Sequence, residues 1–426
     1  MRTYRNHYAI KIASGIGGIA LISAAQIASA QNDALSNESS DVSEVQKISR
    51  IQDNINRATA RHYLYKDASD FYGEYSAFKI KTAKDDGISW SMDLSYLQQW
   101  GRPNGGSPAG QWLATPSLDW TLFQNDSIGT GSLQFAYTWV RYSTNQNGAD
   151  IQNNLGLVTP NNDFGRRQNT FSQLTYTQAL PSNQALISVG QYSFANFDGN
   201  QYLGNQQQNF NNDILSQNGT STYAVAGLGA YLQINPSKSL QFATGFQSAD
   251  NISGSTLSTK HFGDGGYSWF AYAQWTPKFE GLGSAQYSMT YYQVPSVQLQ
   301  SPKSHGWSFN AVQNLNDSWA IFGRANRATG YTTAIKSSYA LGAALNNPLQ
   351  RSPTDQIGLA FGYSDPAKNT SNQNQLRNEK LIELYWNWTI AKGLLITPDV
   401  QYVHNPGADP TRNSAWTLSL RSTLMF

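Results

Sequence analysis

The stretch "NSAWTLSLRSTLMF", residues 413–426, puts Trp416, Leu418, Leu420, Leu424 and Phe426 at every second position, with Arg421 on the opposite parity. Successive side chains of a β-strand point to opposite faces, so a strand built from this stretch has one apolar and one polar face. The same period recurs upstream. "ISWSMDLSYL" sets Ile88, Trp90, Met92, Leu94 and Tyr96 against Ser89, Ser91, Asp93 and Ser95. "SLQFAYTWV" (132–140), "QIGLAFGY" (356–363) and "KLIELYWNWTI" (380–390) repeat it. About sixteen such runs are legible, from 88–98 to 414–426. A chain with this many half-apolar strands must either bury one face in a large sandwich or turn it towards lipid.

The connections decide between the two. If the first strand runs outward, the even links should be short, and they are: "LPSN" (180–183), "NPSK" (235–238), "LNDS" (315–318) and "AKG" (391–393). The odd links include the long Asn-, Gln- and Gly-rich stretches 142–167, 194–221 and 249–265. Short turns on one rim and long loops on the other characterise barrels of the bacterial outer membrane, and a soluble sandwich has no reason to sort its links this way. Trp269 and Trp275 lie at the two ends of one strand face, as girdle residues at two lipid–water boundaries would. The fold expected is all-β, a transmembrane antiparallel β-barrel of about sixteen strands.

The first 30 residues read as an export leader. Arg2, Arg5 and Lys11 form the basic start, "IASGIGGIALISAA" the apolar centre and "ASA" (28–30) the small-residue cleavage site. The chain then divides into a polar segment, 31–87, and the barrel, 88–426. Within the polar segment, Val45, Ile48, Ile51 and Ile55 recur at helical spacing and predict an amphipathic helix over about 41–61. It is read as a short helix on the periplasmic rim, with a plug in the lumen or a coiled-coil stub as the alternatives.

Composition removes several functional classes. There are no cysteines, which excludes disulfide frameworks and thiolate metal sites. The formal charge is +2; without the three basic residues of the leader it becomes −1, which gives no electrostatic case for nucleic acid. Past the leader the histidines are His62, His261, His305 and His404, without Ser or Asp partners at catalytic spacing; His404, beside "NPG", is expected to pack in a turn. "NFDGN" (196–200) loosely resembles a calcium loop but lacks the ladder of acidic ligands. No enzyme, cofactor or metal is implied.

Barrels of about sixteen strands enclose a water-filled channel, so function falls to residues on the inward parity. That set includes Asp93, Asp119, Phe322, Arg324, Glu383, Tyr385, Asn387, Asp399, Gln401 and Arg421. Opposed acidic and basic groups orient neutral polar solutes, and a planar aromatic offers a surface to the apolar face of a sugar ring.

The motifs "HGWSFNAVQNL" (305–315), "WAIFGRAN" (319–326), "RSPTDQIGLAFGYS" (351–364), "EKLIELYWNWTI" (379–390) and "LLITPDVQYVHNPG" (394–407), with the closing strand, resemble the carbohydrate-selective porins of the OprB family. "FYGEYSAFKIKTAKDDGISWSMDLSY" (71–96) resembles that family's opening more loosely, and 142–300 matches only in rhythm. The resemblance implies an outer-membrane porin of a Gram-negative cell, passing glucose and other small carbohydrates by facilitated diffusion. It assigns the pore wall to Arg324 in "FGRAN", Glu383 in "IELYW", and Asp399 and Gln401 in "PDVQY"; Tyr385 and Arg421 join them by parity. A terminal Phe426 after alternating apolar residues resembles the recognition signal of the barrel-assembly machinery. Monomer and homotrimer both remain open, as do the sugar itself and the loops that form the constriction.

Overall fold

A computed structural model describes residues 68–257, 266–298, 300–367 and 376–426. The expected leader and the helix expected at 41–61 lie outside these residues. Helix α1 (Ala68–Asp85) precedes sixteen long strands. These are β1 (Ile88–Arg102), β2 (Ala109–Asn125), β3 (Gly129–Tyr142), β4 (Gln168–Ala179), β5 (Ala185–Tyr192), β6 (Gly227–Ser237), β7 (Leu240–Ser248) and β8 (Tyr267–Trp275) in the first half. The second half has β9 (Gly283–Val294), β10 (Ser304–Asn314), β11 (Trp319–Gly330), β12 (Ile335–Asn346), β13 (Gln356–Pro366), β14 (Glu379–Ala391), β15 (Leu394–His404) and β16 (Ser414–Met425). A two-residue ladder at Lys278–Phe279 extends the turn before β9.

Every strand pairs antiparallel with its sequence neighbours, and β1 pairs with β16 as well as β2, so the sheet closes on itself. Closure satisfies all ladder hydrogen bonds inside the chain, the condition for sheet in a hydrocarbon solvent. The terminal residue takes part. Phe426 N–H donates to Met92 O at 2.9 Å, and Met92 N–H donates to Phe426 O at 3.2 Å. The last apolar residue thus sits in the closure seam.

Alternation assigns the two faces as expected. Leu418, Leu420, Phe361, Leu341, Trp269 and Trp275 are exposed on the outside of the wall, whereas Thr417, Ser419, Arg421 and Thr423 are buried inside. A water-soluble chain would not leave Leu341 66% exposed among so many apolar neighbours; facing lipid, the same exposure is favourable. Links at the β1 start are short: 126–128, 180–184, 238–239 and 392–393. Gly393 holds φ 73° there, a left-handed conformation that glycine adopts without steric cost. The opposite rim carries links 143–167 and 193–226.

The barrel is not simply filled with water. Link 143–167, with α2 (Gly148–Leu155), and link 193–226, with the single turn α3 (Asp213–Ser216), both fold into it. Tyr202, Leu203, Phe210, Ile214 and Leu215 of the second link pack against Val312, Phe322, Ile335, Leu381 and Tyr385 of the wall. Phe194 and Phe197 join Tyr192, Tyr223, Phe270, Tyr272 and Tyr292 in an aromatic cluster on the other side.

Candidate functional site

The inward-folded link 193–226 divides the lumen. One wall, β10–β16, lies beneath it and anchors it. The residues that sequence reasoning assigned to the pore wall belong here, and all of them point inward as expected. None of them lines open water: Arg324, Glu383, Tyr385, Asp399, Gln401 and Arg421 are each no more than 5% exposed. The alternation of strands fixes orientation, but the cover comes from a loop more than a hundred residues away, so burial was not legible in the pattern.

Their partners show what they do instead. Glu383 accepts the backbone N–H of Asn211 at 2.5 Å through Oε1 and that of Asn212 at 3.1 Å through Oε2. Arg421 Nη1 donates to Asn209 O at 2.9 Å, to Asn211 Oδ1 at 2.8 Å and to Gln206 O. Arg324 donates to Leu203 O at 2.5 Å through Nη2 and to Asn310 Oδ1 at 2.8 Å through Nε. Tyr385 Oη accepts from Asn209 Nδ2 at 3.2 Å and donates to Gln356 Oε1. Gln401 Nε2 donates to Asn161 O at 2.9 Å, and its Oε1 accepts from Asn212 Nδ2 at 3.1 Å, tying both inward links to β15. Asp399 is buried within electrostatic reach of Glu383 and Arg421. An irregular segment inside a barrel has carbonyls and amides without ladder partners, and buried groups left unpaired cost about 1–3 kcal/mol each. The wall charges satisfy them.

Phe322 is likewise covered. Its ring stacks on Tyr202 at 5.1 Å, so it presents no open surface to a solute. Sequence reasoning also missed Glu379 on β14, whose carboxylate accepts from the backbone N–H groups of Val158, Thr159 and Gly407 at 2.6–2.8 Å. It fastens the first inward link to the outer rim. His404 does not pack in its turn. It is the last residue of β15 on the outward parity, and it is exposed.

The open wall is β1–β6, towards the short-turn end. Half-buried lumen-facing side chains there are Ser91, Asp93, Ser117, Asp119, Gln134, Gln173, Tyr231 and Gln233. They are linked laterally. Gln134 Oε1 accepts from Gln173 Nε2 at 2.8 Å and from Thr175 Oγ1 at 2.9 Å, and its Nε2 donates to Asp119 Oδ2 at 3.4 Å. Ser91 and Ser117 share a hydrogen bond of 2.7 Å. The half-buried amides of the loop are Gln201, Asn205 and Gln208. Gln208 Nε2 reaches Asp93 Oδ2 at 2.6 Å, and Gln206 Nε2 donates to Gln111 Oε1 at 2.7 Å. Gln207 accepts from Thr115 Oγ1 at 2.7 Å and donates to the carbonyls of Asp93 and Leu113 at 3.0 and 3.1 Å, so the loop is fastened to β1 and β2 as well. Tyr231 stands edge-on to Phe197 at 5.1 Å, held by the aromatic cluster behind it.

A closed sixteen-stranded barrel with a lipid-matching exterior, sorted links and a loop narrowing a polar lumen defines an outer-membrane porin. The chain belongs to the OprB family: the profile described as "Carbohydrate-selective porin, OprB family" matches residues 138–426. It is 35% identical over 348 residues to Porin AaxA of Chlamydia abortus, covering 80% of this chain and 77% of that protein. Porin AaxA of Chlamydia trachomatis serovar D is 35% identical over 317 residues, covering 74% of this chain and 68% of that one. Among solved structures, OprB of Pseudomonas putida at high pH superposes with a TM-score of 0.68 at 16% identity, covering 83% of this chain and 97% of that chain. The fold is also shared with an anion-selective porin from Comamonas acidovorans, at a TM-score of 0.51 and 10% identity, covering 80% and 99%.

Proposed function

We propose that this porin passes small neutral carbohydrates, glucose among them, across the outer membrane by facilitated diffusion. The supporting observation is the chemistry of the open path: amides and hydroxyls on both sides, with Tyr231 as a planar surface and both wall arginines, Arg324 and Arg421, withdrawn under the loop. Amides and hydroxyls exchange hydrogen bonds with a polyol without holding ions, and a weakly binding wall allows entry and exit alike. In this reading Arg324, Glu383, Tyr385, Asp399, Gln401 and Arg421 set the size of the path by seating the loop. They do not touch solute. Planar-bilayer recording tests this: graded current block by glucose and related sugars supports it, and conductance indifferent to every sugar refutes it.

A general small-solute porin is the second reading, favoured by Asp93 and Asp119. Among the described residues these are the half-exposed charges at lumen-facing strand positions, and both are acidic. A salt gradient across the bilayer should give a reversal potential of cation-preferring sign, reduced in the Asp93→Asn/Asp119→Asn variant. Strong selectivity without sugar block would favour this reading. The proposal also has residues 1–30 removed after Ala30, which mass spectrometry of the membrane form checks, and Phe426 presented to the assembly machinery before it enters the seam.

A further inference from the structure

The outer rim at the long-loop end is unevenly charged. Over neighbouring strands β14, β15, β16, β1, β2 and β3 the outward-facing positions carry Lys380, Arg102 and Arg141, and exposed Arg166 and Arg167 follow in the link to β4. Of the carboxylates on this arc, Asp409 is engaged by Arg412 at 3.4 Å, and half-buried Asp150 accepts the Asn147 N–H at 2.8 Å at the start of α2. The opposite arc, β5–β8, has Asp250 and no Lys or Arg at its outer rim among the described residues. Lys303, Arg327 and Lys336, the last paired with Asp365 at 3.6 Å, carry cations on the rim over β10–β12, and Arg102, Arg141 and Lys380 form the stretch over β14–β3.

These cations sit beside the interfacial aromatics. Arg102 is the cross-strand partner of Trp416, whose ring packs on Tyr402 at 4.7 Å. Arg141 is the partner of Trp112, which packs on Tyr96 at 4.8 Å. Its guanidinium lies over Trp139 at 5.1 Å and is steadied by Asn169 Oδ1 at 3.0 Å. Below lie Leu418 and Leu420, exposed to acyl chains. Aromatic rings mark the headgroup level, so cations level with or just above them meet the phosphates of the leaflet. Arginine's planar fork suits a phosphate's paired oxygens.

We infer that this arc is a docking surface for a phosphorylated glycolipid of the outer leaflet, its phosphates on Arg102, Arg141 and Lys380 and its acyl chains on the apolar wall beneath. The inference rests on the barrel's placement in the outer membrane and not on the sugar it passes.

Detergent-solubilised full-length protein, titrated with bis-phosphorylated lipid A and with its dephosphorylated counterpart and followed by native mass spectrometry, tests it. The phosphorylated lipid should be retained preferentially, and high salt should weaken it. The triple variant Arg102→Gln/Arg141→Gln/Lys380→Gln should bind about a hundred-fold more weakly, each charge near the surface being worth about a factor of five. Lys238→Gln, at the short-turn rim, should bind as wild type. Equal retention of the two lipids overturns the inference. So does full competition by inorganic phosphate alone, which would mean a free-anion site, or conversion of an oligomer to monomers in the triple variant with unchanged lipid binding, which would mean a face for a second copy. If the triple variant fails to fold, the wild-type comparison of the two lipids decides by itself.

Discussion

Arg421 shows what a single position in a barrel can and cannot disclose. Its inward direction follows from its odd place among Leu418, Leu420 and Leu424, and the sequence makes that plain. Its partners, Gln206, Asn209 and Asn211, are more than two hundred residues away and invisible to any local pattern. Removing one partner of a buried charged network costs about 3–5 kcal/mol. Arg421→Ala should therefore loosen the loop while leaving the ladder intact, and single-channel conductance should rise several-fold; an unchanged conductance would mean that the loop is held elsewhere. Lys79 of α1 offers a titration. It is 7% exposed, with its ammonium 5.5 Å from the Tyr75 ring and 5.8 Å from that of Trp90. Burial lowers its pKa to about 8, opposed by the charge of Asp93. Between about 8 and the ordinary 10.5 the unfolded lysine binds the proton that the folded one has released, so stability rises with pH across that window. Proteolytic protection of α1 should increase from pH 8 to 10.5, and Lys79→Met should flatten the profile.

At the scale of elements, the strands were readable because each repeats the same two-residue period and must do so to meet lipid on one side. All sixteen appear close to the expected places, down to the short turns at 180–184 and 392–393. The inward link 193–226 had a weaker signal. Phe194, Phe197, Tyr202, Leu203, Phe210, Ile214 and Leu215 are spaced through an Asn/Gln-rich stretch. Apolar residues without periodicity in a long loop have no place in solvent, and here they found the barrel wall. Helix α1 gave still less: glycine and scattered aromatics over 68–85 obscure a helical face, and its contacts are made with β1. Since the ladder closes without the link, replacing residues 203–214 by a Gly–Ser linker of equal length should leave a heat-modifiable barrel and raise conductance several-fold. Loss of the folded barrel would show instead that the packed lumen is needed for assembly.

For the whole molecule, the governing constraint is that lipid lies outside the wall and a partly packed, partly wet interior lies within it. Neighbouring residues on one strand therefore have opposite tolerances. Leu420 lies near the middle of β16, exposed on the lipid side and paired across the ladder with Pro398 and Gln98. An arginine placed there must either sit in hydrocarbon or drag water and headgroups inward, at a cost of about 2–4 kcal/mol near the midplane. Arg421, one residue on, carries the same guanidinium stably because loop carbonyls receive it. Leu420→Arg should lower the unfolding free energy of vesicle-embedded protein by that amount, moving the denaturant midpoint down with little change in the slope, since the surface exposed on unfolding is unchanged. Leu420→Phe, which keeps the lipid face apolar, should unfold close to wild type. A Leu420→Arg variant as stable as the parent in vesicles would mean that β16 does not face hydrocarbon at this level, and the orientation of the entire wall would have to be drawn again.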